Sequence, residues 1–301
     1  MQYPLRLNKI LTEAKQHQIN AMVCDFRKET PVVVESLKKI KDAGYYAIAR
    51  IVVFEEGVGA SYAAAQNAEH LKDVFALAKR AQDLGFDEVQ FDYIRFADKG
   101  YSDPKKKEII TNVLKDARAT LNIPIQIDVF GSVAYQAHPI IGQDLRMMKE
   151  YINAVCPMLY PSHFDNDRMR MGNPYTTMLE GSLQCKAKVG EKNVAVIPYI
   201  QGFAMRMSWA GVPLKDYIKA ELKAVEDADT AGFLVWNAAN DYHTTFEAID
   251  EHGPLYTHAA LTSDEIFVKL APYGYTSANA VVEFGGIKVC VPSKNSTVKP
   301  I

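Results

Sequence analysis

The feature that most constrains this chain is a regular alternation of short apolar runs with longer segments of helical periodicity. The apolar runs have the length of strands, and the segments between them repeat apolar residues every three or four positions. Repeated units of this kind predict an α/β protein with a parallel sheet and helical crossovers. We count seven predicted strands, at 21–26, 46–54, 88–94, 125–130, 154–159, 194–200 and 232–236. The predicted helices include one that Thr30-Pro31 opens, one over about 61–84, and one that Asp103-Pro104 opens. The last carries an apolar inner face of Ile109, Ile110, Val113, Leu114 and Ala117.

The junctions that lead from a helix into the next strand also repeat. Each has a glycine followed by an aromatic residue: Gly44-Tyr45, Gly85-Phe86 and Gly232-Phe233. Glycine accepts the left-handed conformation that ends many helices, and the aromatic side chain can pack beneath the following strand. The repeat therefore supports β/α units of one kind along the chain.

Length and composition agree with one large domain. A (β/α)8 barrel needs about 250 residues, and the chain has 301, of which 48% are hydrophobic. We predict a TIM (β/α)8-type barrel over residues 1–252. Because the first periodic segment, 5–18, is helical, we expect this barrel to lack its usual first strand. Residues 253–301 are predicted to form a small β-rich appendage with a hairpin across Gly285-Gly286.

Charge and cysteine usage argue against several classes of function. The net charge of −2 provides no basic field for nucleic acid or anionic lipid, and no segment has the length of a membrane span. The four cysteines form no CxxC pair, so we expect no zinc site and no other metal or cofactor. The N-terminus carries no apolar stretch of signal-peptide length, which predicts a cytoplasmic protein or a trimmed secreted form.

Asp92 is the first candidate for catalysis. In a parallel α/β barrel the active site lies at the carboxyl ends of the strands, and Asp92 interrupts the apolar run 88–94. A buried carboxylate is costly unless it is paired or hydrogen-bonded. Asp92 therefore implies either a catalytic role or a purely structural ion pair with Arg50 or Arg95.

Asp128 has the same character on the next predicted strand, 125–130. Neighbouring strands lie about 4.8 Å apart. Two carboxylates at their ends can therefore reach the separation that glycoside hydrolysis needs, about 5–5.5 Å for retention and about 6.5–9.5 Å for inversion. One would act as nucleophile or base and the other as proton donor. The alternative is an aspartate that caps the following loop.

Other polar and aromatic residues at the predicted strand ends are candidates for binding a carbohydrate substrate: Asp25, Arg50, Tyr93, Arg95, Tyr160, His163, Gln201, Trp236 and Asn237. A tryptophan at a pocket mouth suits stacking on a sugar, although core packing is the common alternative for Trp236. Arg95 and His163 also have ordinary explanations, as a surface ion pair and as a loop histidine.

Seven segments of the chain form a set with a fixed order. They include GFDEVQFDYIRF (85–96), CPMLYPSH (156–163) and GFLVWNAAN (232–240), with shorter stretches at 48–54, 128–131, 142–145 and 198–203. Together they resemble the putative glycosyl hydrolase domain family, a bacterial barrel group distantly similar to the α-amylase-like hydrolases.

The resemblance implies a (β/α)8 barrel in which Asp92 ends the fourth strand and Asp128 the fifth. Those strands carry the nucleophile and the acid in α-amylase-like enzymes. Three features depart from the family pattern: the missing first strand, a short loop at 55–60, and an aspartate at 128 where most amylases have a glutamate. The short loop implies a more open cleft or a different specificity.

Three hypotheses for function follow. The first is a glycoside hydrolase acting on a poly- or oligosaccharide, with Asp92 as nucleophile or base and Asp128 as general acid. The second is a barrel that binds carbohydrate without turning it over. The third is a different barrel enzyme, such as a lyase or an esterase-like hydrolase that works through His163.

Overall fold

The structure is a computed structural model that describes residues 4–55, 57, 62–165, 167–192, 194–257, 265, 268, 281–284 and 287–290. The chain divides into two compact units, Met1–Cys156 and Pro157–Ile301. In both units short strands alternate with helices, as the periodicity predicts.

The first unit alternates helices with five strands. It contains α1 (Pro4–Gln16), β1 (Ala21–Asp25), α2 (Pro31–Asp42), β2 (Tyr46–Val52), α3 (Tyr62–Ala65), α4 (Ala68–Leu84), β3 (Glu88–Asp92), α5 (Lys105–Thr120), β4 (Ile125–Phe130), α6 (Leu145–Met148) and the start of β5 (Ala154–Met158). β1 to β5 lie side by side in chain order. The β1–β2, β2–β3 and β3–β4 pairs are parallel, which confirms the predicted parallel sheet.

The core of the first unit lies between the sheet and its helices. β2 buries Ala47, Ala49 and Ile51 completely on one face and Ile48 on the other, as expected for a strand covered on both faces. The apolar face predicted for α5 is also buried; it consists of Ile109, Ile110, Val113, Leu114 and Ala117. The helical period of the sequence therefore identified the packed face.

Side-chain caps explain where two helices begin. The Thr30 hydroxyl accepts a hydrogen bond from the Val33 amide at 3.2 Å, and Pro31 occupies the first turn of α2, as predicted. The single helix predicted at 61–84 is instead two helices, α3 and α4. The reason is Asn67, whose side-chain oxygen accepts bonds from the amides of Glu69 and His70 and so caps α4.

The predicted junction of helix end, glycine and aromatic residue holds at two of its three positions. Gly44 and Gly85 have φ values of +83° and +97° directly after their helices. Tyr45 and Phe86 are buried behind them.

At the third position the prediction is wrong. α9 already ends at Asp227, and the residue that takes the left-handed conformation is Asp229, with φ +49°. An aspartate tolerates that conformation better than most residues with a side chain, so the helix ends without glycine.

The second unit contains α7 (Arg168–Gly172), α8 (Pro174–Val189), β6 (Ala195–Val196), β7 (Tyr199–Gln201), α9 (Leu214–Asp227), β8 (Leu234–Trp236) and α10 (His243–His252). β7 and β8 pair in parallel, with Gln201 opposite Trp236. The strand predicted at 194–200 is divided in two. Pro198 stands in the gap, and proline has no amide hydrogen to give to a sheet.

Beyond residue 257 the structure describes mainly one hairpin. β9 (Val281–Phe284) and β10 (Ile287–Cys290) pair antiparallel, with Phe284 opposite Ile287. This matches the hairpin predicted there, although Gly285 and Gly286 lie outside the described residues. Within the described ranges, no helix is both long enough and apolar enough to cross a bilayer.

Candidate active site

The carboxyl ends of β3 and β4 place the two candidate catalytic aspartates side by side along the sheet. Phe91 of β3 is in register with Ile127 of β4. Asp92 and Asp128 are the next residues on their strands, so the same pairing brings them to neighbouring positions. Both are buried, with 9% and 3% of their surface exposed.

Hydrogen-bond donors surround the Asp92 carboxylate. Its Oδ2 atom accepts the Nε–H of Arg50 at 3.0 Å and a second, short bond from Nη2 of the same guanidinium. Its Oδ1 atom accepts the backbone amide of Tyr93 at 2.6 Å. These three hydrogen bonds fix the orientation of the carboxylate. Of the two ion pairs expected for Asp92, the structure forms the one with Arg50.

Arg50 joins Asp92 to a second carboxylate. Its Nη1 atom donates to Oδ1 of Asp25 at 2.6 Å, and Asp25 is opposite Arg50 in the β1–β2 register. Burial disfavours the charged guanidinium, yet Asp92 and Asp25 outweigh it and raise the pKa of Arg50 above its ordinary value. Three neighbouring strands therefore contribute one charge each to a single network.

Gln143 fixes the end of β4 around Asp128. Its side-chain Nε2 donates to the carbonyl oxygen of Asp128 at 3.2 Å, and its Oε1 accepts the amide of Phe130 at 3.0 Å. The side chain is 1% exposed. The Gln143 side chain thus makes the hydrogen bonds that a neighbouring strand would otherwise make to two backbone groups near the end of β4.

The inner positions of β3 and β4 remain polar below the two aspartates. Gln90 and Gln126 are fully buried and opposite each other in the register. The thiol of Cys156 donates to Oε1 of Gln126 at 3.0 Å. Burial and the nearby carboxylates, Asp128 first among them, raise the pKa of this thiol, so it stays protonated.

Glu88 begins the same row of alternate β3 residues, at the amino end of the strand. Burial is the largest influence on it, and a hydrogen bond from Tyr46 acts in the opposite direction. The net effect raises the pKa of Glu88 to about 7. This carboxyl group therefore titrates near neutral pH.

Tyr93 and Arg95 form the turn that leaves β3. Tyr93 has φ +51°, a left-handed conformation that is rare for a bulky residue and that often marks functional sites. The guanidinium of Arg95 lies 5.0 Å from the Tyr93 ring centroid and 4.5 Å from that of Phe130. Its Nη1 atom donates to the carbonyl of Phe96 at 3.0 Å. Arg95 is buried between two aromatic rings rather than exposed in a surface ion pair.

In the second unit, the predicted residues Tyr160, His163 and Trp236 belong to one aromatic cluster. The Tyr160 ring centroid lies 5.2 Å from His163 and 6.2 Å from Trp236. Phe203 packs edge-on against Trp236 at 5.2 Å and against Tyr160 at 5.4 Å. Because 45% of Trp236 is exposed, the cluster presents an aromatic surface to solvent.

His163 keeps its imidazole neutral at neutral pH. The loss of water around the ring, together with the nearby charge of Arg206, lowers the pKa of His163. Its Nδ1 atom is 3.0 Å from the Ser162 hydroxyl. Since Ser162 is buried, this pair does not offer an accessible nucleophile.

Gln201 and Asn237 use their amides to hold nearby backbone. Gln201 donates to the carbonyls of Phe203 and Met205 at 3.1 and 3.3 Å. Asn237 donates to the carbonyl of Gly202 at 2.6 Å and accepts the amide of Ala239. Both residues therefore shape the loops that follow β7 and β8.

Glu221 lies behind Gln201 on α9. Its Oε2 atom accepts the Gln201 amide at 2.9 Å, while Oε1 has no hydrogen-bond partner in the described part of the chain. Burial raises the pKa of Glu221 well above its ordinary value, and the hydrogen bond from the Gln201 amide acts in the opposite direction.

Gln143, Phe203 and Glu88 were not among the predicted site residues, although each had a visible signal. Glu88 continues the alternation of Gln90 and Asp92 along β3, and Phe203 and Gln143 lie inside segments that resemble the family, 198–203 and 142–145. The partners of Gln143 were not predictable, because a glutamine in a loop acquires them only through the tertiary fold.

Among the described residues, no group of three or more His, Cys, Asp or Glu side chains could hold a metal ion. Buried carboxylates at the carboxyl ends of parallel strands are the arrangement found in α/β barrel enzymes.

These features define an α/β enzyme domain with a parallel sheet and an acidic site. A family model confirms and narrows that class, since residues 56–242 match the putative glycosyl hydrolase domain. The chain belongs to this family, as its sequence segments suggested, and is therefore of the glycoside hydrolase type.

Solved structures identify the type of fold. The spore cortex-lytic enzyme SleL of Bacillus megaterium is similar with a TM-score of 0.59 at 12% identity, over 85% of this chain and 72% of that one. A chitinase of Chromobacterium violaceum has a TM-score of 0.57 at 12% identity, over 81% and 94%. The glycoside hydrolase domain of PgaB from Bordetella bronchiseptica has a TM-score of 0.58 at 10% identity, over 84% and 93%.

At such low identity the likeness is one of fold, and it confirms the predicted (β/α)-barrel type. No curated protein sequence gives a significant match to the chain. The roles of individual residues therefore rest on the geometry described above.

Proposed function

We propose that this protein hydrolyses O-glycosidic bonds of a poly- or oligosaccharide with two carboxylates. The observation that carries the proposal is the pairing of β3 with β4, which puts Asp92 and Asp128 at adjacent strand ends. Both are buried, and a pair of carboxylates flanking the scissile bond is the usual requirement of this reaction.

Asp92 is proposed as the nucleophile or general base. Two bonds from Arg50 and one from the Tyr93 amide hold its carboxylate in place. In a retaining reaction, one Asp92 oxygen would bond to the anomeric carbon as the glycosidic C–O bond breaks. In an inverting reaction, Asp92 would take a proton from the attacking water instead.

Asp128 is proposed as the general acid. It would give its proton to the leaving glycosidic oxygen, so that the departing sugar leaves as a neutral alcohol. Gln143 would hold the strand end that carries this proton donor, through the Asp128 carbonyl and the Phe130 amide. In retention, the same carboxylate would then accept a proton from the water that releases the sugar.

The aromatic cluster of the second unit is proposed to bind sugar rings. The exposed Trp236 indole is supported from beneath by Tyr160 and Phe203. A rigid, half-exposed aromatic face suits the apolar side of a pyranose. Because several structural neighbours are chitinases, chitin oligosaccharides belong in the first panel of substrates.

The test is the release of reducing sugar from a glycan panel by wild type, Asp92→Asn and Asp128→Asn. We expect a loss of about a hundredfold or more for each variant. Asp83→Asn is the matched control, since Asp83 is an exposed helix residue paired with Lys79. Equal turnover by wild type and Asp92→Asn would refute the assignment. The anomer first released, read by NMR, distinguishes retention from inversion.

A specific observation also favours a second candidate, a domain that binds carbohydrate without turnover. Trp236 is 45% exposed, and an exposed aromatic face can bind a sugar without a catalytic residue. Retention of a glycan that Trp236→Ala abolishes, with no reducing sugar after long incubation, would select this second function.

A further inference from the structure

Arg50 makes three donor contacts in the first unit, and all of them go to carboxylates. Its Nε and Nη2 atoms donate to Asp92, and its Nη1 atom donates to Asp25 at 2.6 Å. The side chain is 23% exposed, so little of it faces solvent. A guanidinium engaged on two carboxylates has few donors left for a sugar hydroxyl.

The strand register explains why Arg50 occupies this place. Arg50 is opposite Asp25 on β1, whereas Asp92 is opposite Val52, two residues further along β2. The arginine is long enough to reach forward to the next inner layer, and its planar fork contacts Asp92 through two nitrogens. A lysine would offer a single point charge at this position.

We propose that Arg50 is a positioning residue that orients the Asp92 carboxylate and places a positive charge beside it, and that Asp25 moderates this effect by sharing the same guanidinium. This inference rests on the proposed function, because it explains how Asp92 could serve as nucleophile or base. It also reinterprets Arg50 and Asp25, which the sequence alone suggested as sugar ligands.

The two partners of Arg50 should act on Asp92 in opposite directions. The positive guanidinium favours the ionised carboxylate, so its removal makes Asp92 easier to protonate. Asp25 adds a second carboxylate and also accepts a hydrogen bond from the same guanidinium. Its removal should make Asp92 harder to protonate. The Asp25 side chain is 56% exposed, so solvent screening keeps its effect the smaller of the two.

Other titratable and charged groups near Asp92 are present in every variant. Asp128 lies on the neighbouring strand β4, and Glu88 lies on the same face of β3 as Asp92. The charges of these acids raise the pKa of the Cys156 thiol. Arg95 lies in the turn after Asp92. Their contributions are common to all the proteins compared, so the differences report Arg50 and Asp25.

The experiment is a pH titration of the full-length chain labelled with ¹³C at aspartate side-chain carboxyls. The Asp92 signal is the one that Asp92→Asn removes, and the titrating probe is the proton itself. We expect Arg50→Gln to move its titration midpoint up by about one to three pH units. Asp25→Asn should move the midpoint down by less than about one unit.

Arg80→Gln is the matched control. Arg80 donates from two nitrogens to Glu29, at 2.5 and 2.7 Å, on the surface of the same unit. Its loss removes an equivalent arginine–carboxylate pair and should leave the Asp92 midpoint unchanged. Arg50→Lys keeps the positive charge without the planar fork, so it should shift the Asp92 midpoint upward by less than Arg50→Gln does. It also serves as the second variant if Arg50→Gln folds poorly.

The inference is overturned if Arg50→Gln and Arg50→Lys leave the Asp92 midpoint in place, or if Asp25→Asn moves it upward. These readings need no turnover, so they remain decisive even if no glycan is hydrolysed and the proposed function fails. If a glycan is hydrolysed, the acidic limb of the kcat/KM profile should shift in the same directions. An arginine with a purely structural role would lower activity without moving that limb.

Discussion

Replacing Gln143 with leucine should loosen the carboxyl end of β4 while keeping a side chain of similar size. The variant loses two hydrogen bonds, one to the Asp128 carbonyl and one from the Phe130 amide. A hydrogen bond contributes about 1 kcal/mol net, and a buried group left without a partner costs about 1–3 kcal/mol. Since Gln143 is 1% exposed, we expect a destabilisation of about 2–4 kcal/mol.

The assay is urea denaturation followed by far-UV circular dichroism. Tryptophan fluorescence is unsuitable, because Trp209 and Trp236 both lie in the second unit and Gln143 lies in the first. Gln66→Leu is the control, since the Gln66 amide makes an exposed bond to the Tyr62 carbonyl of α3, and its loss should cost less than about 0.5 kcal/mol. Equal effects of the two substitutions would refute the role given to Gln143.

Two further predictions concern the first unit. Because the pKa of Glu88 is raised from 4.5 to about 7, its stabilising effect is complete below pH 4.5 and is lost as the pH rises through 7. Relative to Glu88→Gln, the wild type should therefore lose up to roughly 3 kcal/mol of its free energy of unfolding between pH 4.5 and 7, as measured by urea denaturation at a series of pH values. Parallel curves of unfolding free energy against pH for the two proteins would contradict this. Gly142→Ala should lower the melting temperature far more than Gly44→Ala. Both glycines have positive φ, but a Cβ at 142 would lie 2.7 Å from the Lys106 carbonyl oxygen, whereas a Cβ at 44 would meet open space. We expect destabilisation of about 2–4 kcal/mol for Gly142→Ala and about 1 kcal/mol for Gly44→Ala. Similar losses of melting temperature in the two variants would count against this reasoning.

The sequence predicted the elements of the fold well because the hydrophobic period is strong in both strands and helices. It failed where one residue changed the local hydrogen bonding. Asn67 ends one helix and caps the next, and Pro198 interrupts the sixth predicted strand. Neither residue alters the apolar pattern around it, so periodicity alone does not reveal the break.

The candidate site was predicted in part. Asp92 and Asp128 were selected because an acid in an apolar strand is unusual, and the partner of Asp92 was narrowed to Arg50 or Arg95. The choice between the two arginines depends on reach and register across strands. The structure places Arg95 between two aromatic rings and leaves Arg50 for Asp92.

The aromatic cluster illustrates a similar limit. Tyr160, His163 and Trp236 were selected individually at strand ends, yet their common environment comes from Phe203, on the loop after β7. A loop residue brings segments together only after the strands on either side have paired. Single-sequence patterns do not contain that information.

The network of Asp25, Arg50 and Asp92 also has a consequence for the order of folding. Its members are 25 and 42 residues apart along the chain, so the network is complete only when β1, β2 and β3 have all paired. A partly folded chain in which β2 and β3 have paired without β1 holds Arg50 and Asp92 but leaves Asp25 without its partner. Contacts of such sequence separation form slowly. The site should therefore mature late in folding.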